Sequence, residues 1–216
     1  MAAPTAGLHF TNTVLESIKK KNIDSAFVTL HVGAGTFKPV KSETMEGHTM
    51  HAEYIDVSIT ALEKIIHHLG NITAVGTTSI RTLESLYWMG IQLIKNPLIK
   101  KPLLSQWEIY EPGMQEIIVP AKEALSVLLG WMKEKKLQRL FTKTQLMIAP
   151  GYKFRVAQRL VTNFHQPQST LLLLVAAAIN DDLPTGQAGW KKMYNYALKN
   201  DFRFLSYGDS NLIFMA

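Results

Sequence analysis

The sequence predicts an α/β fold, a three-layer α/β/α sandwich, on three observations. Short apolar runs suited to buried strands alternate with stretches whose apolar residues recur at helical spacing, which excludes an all-α or all-β chain. Polar, glycine-bearing or hydroxyl-rich turns follow several of these runs, where open α/β sheets bind ligands. The composition, 47% hydrophobic and 19% charged over 216 residues, suits a globular chain long enough to bury one substantial core.

The elements are expected in the following order. A loop over residues 2–10 leads into a helix from about Asn12 to Lys21, with Thr13 and Glu16 as a capping box and Val14, Leu15 and Ile18 as its apolar stripe. Residues 26–32 read as a buried strand ending at Gly33-Ala34-Gly35, and residues 50–57 as a second strand. Ser58 then caps a helix whose Ile59, Leu62, Ile65, Ile66 and Leu69 share one face up to Gly70-Asn71. A short strand over 72–76 runs into Thr77-Thr78-Ser79 and a helix through Ile80, Leu83, Leu86 and Tyr87. Residues 106–110 look strand-like, 121–136 form an amphipathic helix, and 145–149 suggest another strand. A strand at 159–163, a loop at 165–168, helices from Ser169 through Ile179 and over 190–198, and a final strand at 202–206 complete the chain.

Composition removes several function classes. Without cysteine there are no disulfides, thiol nucleophiles or Fe–S clusters. The longest apolar run, residues 171–179, is too short for a bilayer, and the first residues show no secretory signal pattern. A cytoplasmic address with no membrane partner is expected. The net charge of +6 is unevenly spread. Residues 1–90 carry seven Lys/Arg against eight Asp/Glu, residues 91–155 eleven against five, and residues 156–216 five against four. The basic excess therefore lies in the middle third, where it either attracts an anionic partner or dresses a solvent face.

Four places carry candidate chemistry. In Gly76-Thr77-Thr78-Ser79-Ile80-Arg81, a helix start with Arg81 one turn in suits an anionic group, although an ordinary cap has the same pattern. In Leu30-His31-Val32-Gly33-Ala34-Gly35-Thr36, the glycines allow the backbone to close on a flat ligand, while His31 is either functional or a core histidine. His48, His51 and Glu53 form a third cluster. It admits a metal site with His9, His31 and His165 as further ligands, but proton transfer is preferred. The fourth place, Val161 to Thr170, joins a polar strand end containing Asn163 to a helix start at Ser169-Thr170. His67-His68 read as surface residues, and most Met and Trp residues as core.

These motifs are specific in combination. AAPTAGLHFT, FVTLHVGAGTFKPV, HTMHAEY, AVGTTSIRTLES, LVTNFHQPQSTLLLLVAA and FRFLSYGD, in that order, resemble the tRNA S-adenosylmethionine ribosyltransferase-isomerases of queuosine biosynthesis. The resemblance implies transfer and isomerisation of the ribosyl moiety of S-adenosylmethionine onto 7-aminomethyl-7-deazaguanine at the tRNA wobble position. Its products are epoxyqueuosine-tRNA, adenine and methionine. S-adenosylmethionine is then a substrate, no other cofactor and no metal are implied, and tRNA carrying the 7-deazaguanine precursor is the macromolecular partner.

Proton transfer is assigned to His31 and His165, with His51, Glu53 and His9 as further catalytic candidates and Glu53 orienting a histidine. Substrate contacts are expected from Thr5, Gly7, Gly33, Gly35, Thr36, His48, Thr77, Thr78, Arg81, Asn163, Ser169, Thr170, Tyr207 and Asp209. Thr77, Thr78 and Arg81 would hold a carboxylate or phosphate, and Asp209 the ribose hydroxyls or the methionine ammonium. Two departures accompany the resemblance. The chain begins inside the family's Ala-Ala-Pro-Thr-Ala-Gly motif, so residues 1–216 are expected to be one incomplete catalytic-domain fragment lacking a preceding portion with a β-barrel. Residues 91–142 are expected to be a basic, family-atypical insertion that adds affinity for tRNA. The complete enzyme is expected to be monomeric. A non-catalytic tRNA-binding remnant and a His-rich metal-dependent hydrolase are the competing functions.

Overall fold

At Ser58 the sequence changes from strand alternation to helical periodicity, and the chain changes with it. The Ser58 side chain accepts a hydrogen bond of 3.1 Å from the Ala61 N–H, closing strand β2 (Glu53–Ser58) and opening helix α2 (Ile59–His67). The structure is a computed structural model that describes residues 5–31, 51–114, 116–179 and 189–215. Over these residues the chain is a mixed α/β domain with six α-helices and two three-stranded sheets.

The first sheet is antiparallel throughout. β1 (Thr29–His31) and β4 (Arg139–Thr144) flank β2, with Leu30 opposite Ile55 and Ile55 opposite Thr142. Alternation along β2 buries Glu53, Ile55 and Val57 and turns Tyr54 outward. The second sheet has β5 (Arg159–Asn163) at its centre, parallel to β3 (Thr73–Val75) and antiparallel to β6 (Ser210–Phe214). β3 and β5 run in the same direction, so Gly76 and Asn163 stand at one end of the sheet.

Helix α3 (Thr77–Lys95) contacts both sheets and contributes more buried residues than any other described element. It continues through Gly90, where a helix break would be unremarkable, because α4 (Ala121–Glu134) packs against that point. A Cβ built on Gly90 would collide with the Ala124 carbonyl, so glycine permits close approach of the two helices. The remaining helices are α1 (Asn12–Lys20), α5 (Thr170–Ala178) and α6 (Gly189–Lys199).

Several expectations are corrected. Thr11, not Thr13, caps α1, its hydroxyl accepting from the Val14 N–H at 3.4 Å, and no residue of α1 is buried. Residues 106–110 contain a 3-10 turn (Glu108–Tyr110): burial of Ile109 and the bonds of the Tyr110 hydroxyl produce the apolar signal. The strand in the next region is Arg139–Thr144. Residues 145–149 follow it without a strand partner, with their N–H groups at Gln145 and Met147 donating to the Leu104 and Gln106 carbonyls. Near the C-terminus the strand is Ser210–Phe214, while Leu205–Tyr207 form a 3-10 turn. Phe202 and Phe204 are apolar because they pack against Phe164, not because they belong to a ladder. Of the expected α/β fold, the described residues form a mixed α/β domain whose strands lie in two three-stranded sheets.

The basic middle stretch is woven into the core. Leu104, Ile109, Leu125 and Met132 are fully or nearly fully buried, α4 covers α3, and β4 completes the first sheet. Among the described residues no helix is long and apolar enough to cross a membrane.

Candidate functional site

The carboxyl ends of β3 and β5 bring together residues from four parts of the chain. After β3, Gly76 adopts φ +92°, a conformation that favours glycine, and its N–H donates to the Val161 carbonyl at 2.8 Å. α3 begins at once, and no side chain caps it. Its first turn therefore presents N–H groups and the positive end of the helix dipole beside Thr77 and Thr78. The 3-10 turn Thr5–His9 packs on β5, with Ala6 buried next to Gly76.

At the end of β5, Asn163 is almost fully buried. Its amide nitrogen lies 3.2 Å from each of the Leu205 and Gly208 carbonyls and 3.2 Å from His9 Nε2. The two carbonyls require a donor, which fixes the amide orientation and leaves Asn163 Oδ1 buried with no hydrogen-bond partner among the described residues. The acceptor therefore lies beside the exposed His9 ring, where a ligand group can reach the same corner. Two residues on, His165 Nε2 shares a 2.9 Å hydrogen bond with Thr162 Oγ1, and its backbone N–H donates to the Tyr194 hydroxyl at 2.9 Å. Both the ring and the backbone of residue 165 are thus held.

Burial lowers the His165 pKa from 6.5 to about 4, so the imidazole is neutral at pH 7. The unfolded chain binds the proton more tightly than the native one. This contribution to stability is therefore complete above about pH 6.5 and lost as pH falls towards 4. A shift of this size corresponds to roughly 3 kcal/mol. Replacing His165 with Gln is expected to flatten the fall in urea midpoint between pH 6.5 and 4. An unchanged acid limb would show that the ring is not buried in the folded protein.

The remaining candidates are distributed as follows. Arg81 and Glu53 form a buried ion pair between α3 and β2, and they are 7% and 2% exposed. Burial lowers the arginine pKa to about 10, which leaves it charged. Its charge thus faces a carboxylate of the protein, and Glu53 is the described partner of an arginine. Ser169 caps α5, accepting from the Leu172 N–H at 3.3 Å and donating to the Gln166 carbonyl at 2.9 Å, and Thr170 is the first helical residue. Asp209 accepts from the Arg203 N–H at 2.7 Å, bracketing the turn that contains Tyr207, itself 92% exposed. Thr5 and Gly7 belong to the turn that carries His9. His31 ends β1 in the first sheet and is exposed, away from the loop after β5 that carries His165, and His51 is exposed just before β2. Gly33, Gly35, Thr36 and His48 lie outside the described residues. Among the described residues no three His, Asp or Glu side chains gather so as to hold a metal ion.

Three contributors escaped the sequence reading. Thr162 was present in a recognised motif but reads as an ordinary strand residue, and Tyr194 approaches from α6 with no local signal. Glu84, in the middle of α3, is fully buried. It accepts from the Tyr152 hydroxyl at 2.9 Å and from the Arg155, Val156 and Ala157 N–H groups at 2.9, 3.0 and 3.3 Å. Trp88 Nε1 donates to the same tyrosine oxygen at 2.9 Å. Burial raises the Glu84 pKa against the pull of these donors. The loop that it fastens leads directly into β5 and hence to Asn163 and His165.

Comparisons with known proteins identify the family of the chain. A family described as "Queuosine biosynthesis protein" matches residues 1–213. The S-adenosylmethionine:tRNA ribosyltransferase-isomerase of Clostridioides difficile is 40% identical over 215 residues, which is 98% of this chain and 48% of that protein. A crystal structure of the S-adenosylmethionine tRNA ribosyltransferase from Thermotoga maritima superposes with a TM-score of 0.56 at 30% identity, covering 96% of this chain and 51% of that one. The chain therefore spans about half the length of these relatives. The family match also runs through the basic middle stretch. Matched over nearly its whole length, the chain belongs to the queuosine biosynthesis protein family.

Proposed function

We propose that this chain supplies the part of a tRNA ribosyltransferase-isomerase that binds and turns over S-adenosylmethionine. The ribosyl moiety would pass to the aminomethyl group of 7-aminomethyl-7-deazaguanine at the wobble position, giving epoxyqueuosine-tRNA, adenine and methionine. The carrying observation is the convergence of His9, Asn163, His165 and the uncapped start of α3 at the carboxyl ends of two parallel strands.

Each group has a use in that reaction. Removal of a proton beside the sulfonium needs a base, and departure of adenine needs a donor. A neutral His165 avoids placing a second positive charge beside the sulfonium and is in the form that accepts a proton, although burial that lowers its pKa to about 4 also weakens it as a base. His9, whose Nε2 faces the Asn163 amide donor, has Nδ1–H to donate to adenine, and Asn163 Oδ1 accepts from a substrate N–H or hydroxyl. The first turn of α3, with Thr77 and Thr78, receives the methionine carboxylate. Arg81 supports this turn through its pair with Glu53. The same reading makes residues 1–216 part of one α/β/α layered domain, supported by a continuous buried cluster that crosses both sheets. It places the enzyme in the cytoplasm as a monomer.

The test uses the complete gene product with precursor-bearing tRNA and S-adenosylmethionine. Adenine release is expected, and His165→Gln is expected to reduce it by about 10²–10⁴-fold. No adenine release from the unaltered protein would refute the enzyme reading and leave a binding module. Full turnover by the variant would remove His165 from the chemistry.

A further inference from the structure

The outer face of the β1–β2–β4 sheet carries a row of side chains that the proposed chemistry does not use. His31, Tyr54 and Lys143 are cross-strand neighbours in register. The Tyr54 and Phe141 rings stack with centroids 5.0 Å apart and planes 10° from parallel, and His31 meets Phe141 edge-on at 6.0 Å. Lys143 Nζ lies 4.9 Å from the Tyr54 ring centroid and Lys101 Nζ 5.9 Å from that of Phe141. Despite their stacking, Tyr54 and Phe141 remain 38% and 48% exposed. On the same face, Arg139 Nε binds Asp56 at 2.7 Å, so this acidic side chain is already neutralised.

We propose that this face is a stacking platform for unpaired nucleotides of an RNA substrate. The inference rests on the tRNA-modifying reading and adds where on the protein the RNA lies. Unpaired bases offer flat π faces to Tyr54 and Phe141, while the phosphates that flank them meet Lys101 and Lys143. A face built for an apolar protein partner would instead bury these lysines at a desolvation cost. Both lysines come from the stretch with eleven basic against five acidic residues. Because that stretch also holds the core together, its contribution has to be tested by side-chain replacement and not by deletion.

The experiment measures binding of precursor-bearing tRNA and of its isolated anticodon stem-loop to the complete gene product across a range of salt concentrations. Tyr54→Ala with Phe141→Ala is expected to weaken binding at least tenfold with little change in salt slope. Lys101→Ala with Lys143→Ala is expected to reduce the slope by about one to one and a half. Tyr196→Ala, an exposed aromatic on α6, serves as the control and is expected to bind like the unaltered protein. Should the double aromatic variant fail to fold, Tyr54→Trp provides a second readout, its emission being quenched as a base stacks on it. Affinity and slope unchanged in all variants, or no quenching, would overturn the platform. So would a change in oligomeric state with RNA binding intact, which would identify the face as a protein interface. Failure of the unaltered protein to bind RNA or release adenine would instead refute the underlying enzyme reading.

Discussion

Replacing Glu84 with alanine is expected to destabilise the protein by about 3–5 kcal/mol, a fall in denaturation midpoint measurable by urea titration. The carboxylate is the common acceptor for three successive backbone N–H groups and the Tyr152 hydroxyl. Alanine removes the acceptor, leaves those donors without it and opens a cavity beside Trp88. Glu84→Gln keeps the volume but offers one oxygen where two now accept, so a smaller cost of about 1–2 kcal/mol is expected. Burial raises the folded pKa above its ordinary value of 4.5, so the carboxyl favours the native state most when protonated. That contribution is complete below the unfolded pKa and disappears as pH rises through the folded one. The advantage of glutamate over glutamine at this position should therefore narrow as pH rises. A cost below about 1 kcal/mol for the alanine variant would mean that residues 155–157 are held by something else.

The second large effect is expected at the Arg81–Glu53 pair. Arg81→Met should cost about 3–5 kcal/mol, because it leaves a carboxylate buried at the start of β2 without its described cation. Combining it with Glu53→Gln should recover much of this loss, since the remaining side chains are both neutral. Chemical denaturation of the two single variants and the double variant closes the cycle. Strict additivity would show that the charges do not act together. Loss of turnover in Arg81→Met with stability intact would instead return Arg81 to direct contact with substrate.

What could be read from the sequence follows the range of the forces involved. β5 was legible to the residue because a short apolar run is bounded by turn-forming neighbours, and the start of α2 because Ser58 is a strong local cap. The C-terminal strand was misplaced because aromatic packing imitates strand composition: Phe202 and Phe204 serve the cluster around Phe164 and Tyr194. Glu84 was invisible for a different reason. A glutamate within a helix ordinarily faces water, and the donors that retain it here lie about seventy residues further along. The site shows the same division. His9, Asn163 and His165 were legible through motif resemblance, whereas Thr162 and Tyr194, which hold the histidine, depend on tertiary contacts that leave no pattern. His31 and His165 look alike as strand-associated histidines, but His31 belongs to the first sheet, whereas His165 follows β5 of the second in a loop.

The polar bonds along α3 have one more consequence. Arg81, Ser85, Trp88 and Gln92 recur at helical spacing, and each bonds to a different place: Glu53, Thr144, Tyr152 and the Leu103 carbonyl. A helix seated only by apolar side chains can turn or slide a little with modest loss. One keyed by four separate hydrogen-bonding partners has a single rotational phase. One added residue would turn everything beyond it by about 100° and disengage the later keys together. The spacing from Thr77 to Gln92 is therefore a fixed gauge between the start of the helix and the far end of the core. Length variation within this family should accumulate in the connecting loops and spare this helix.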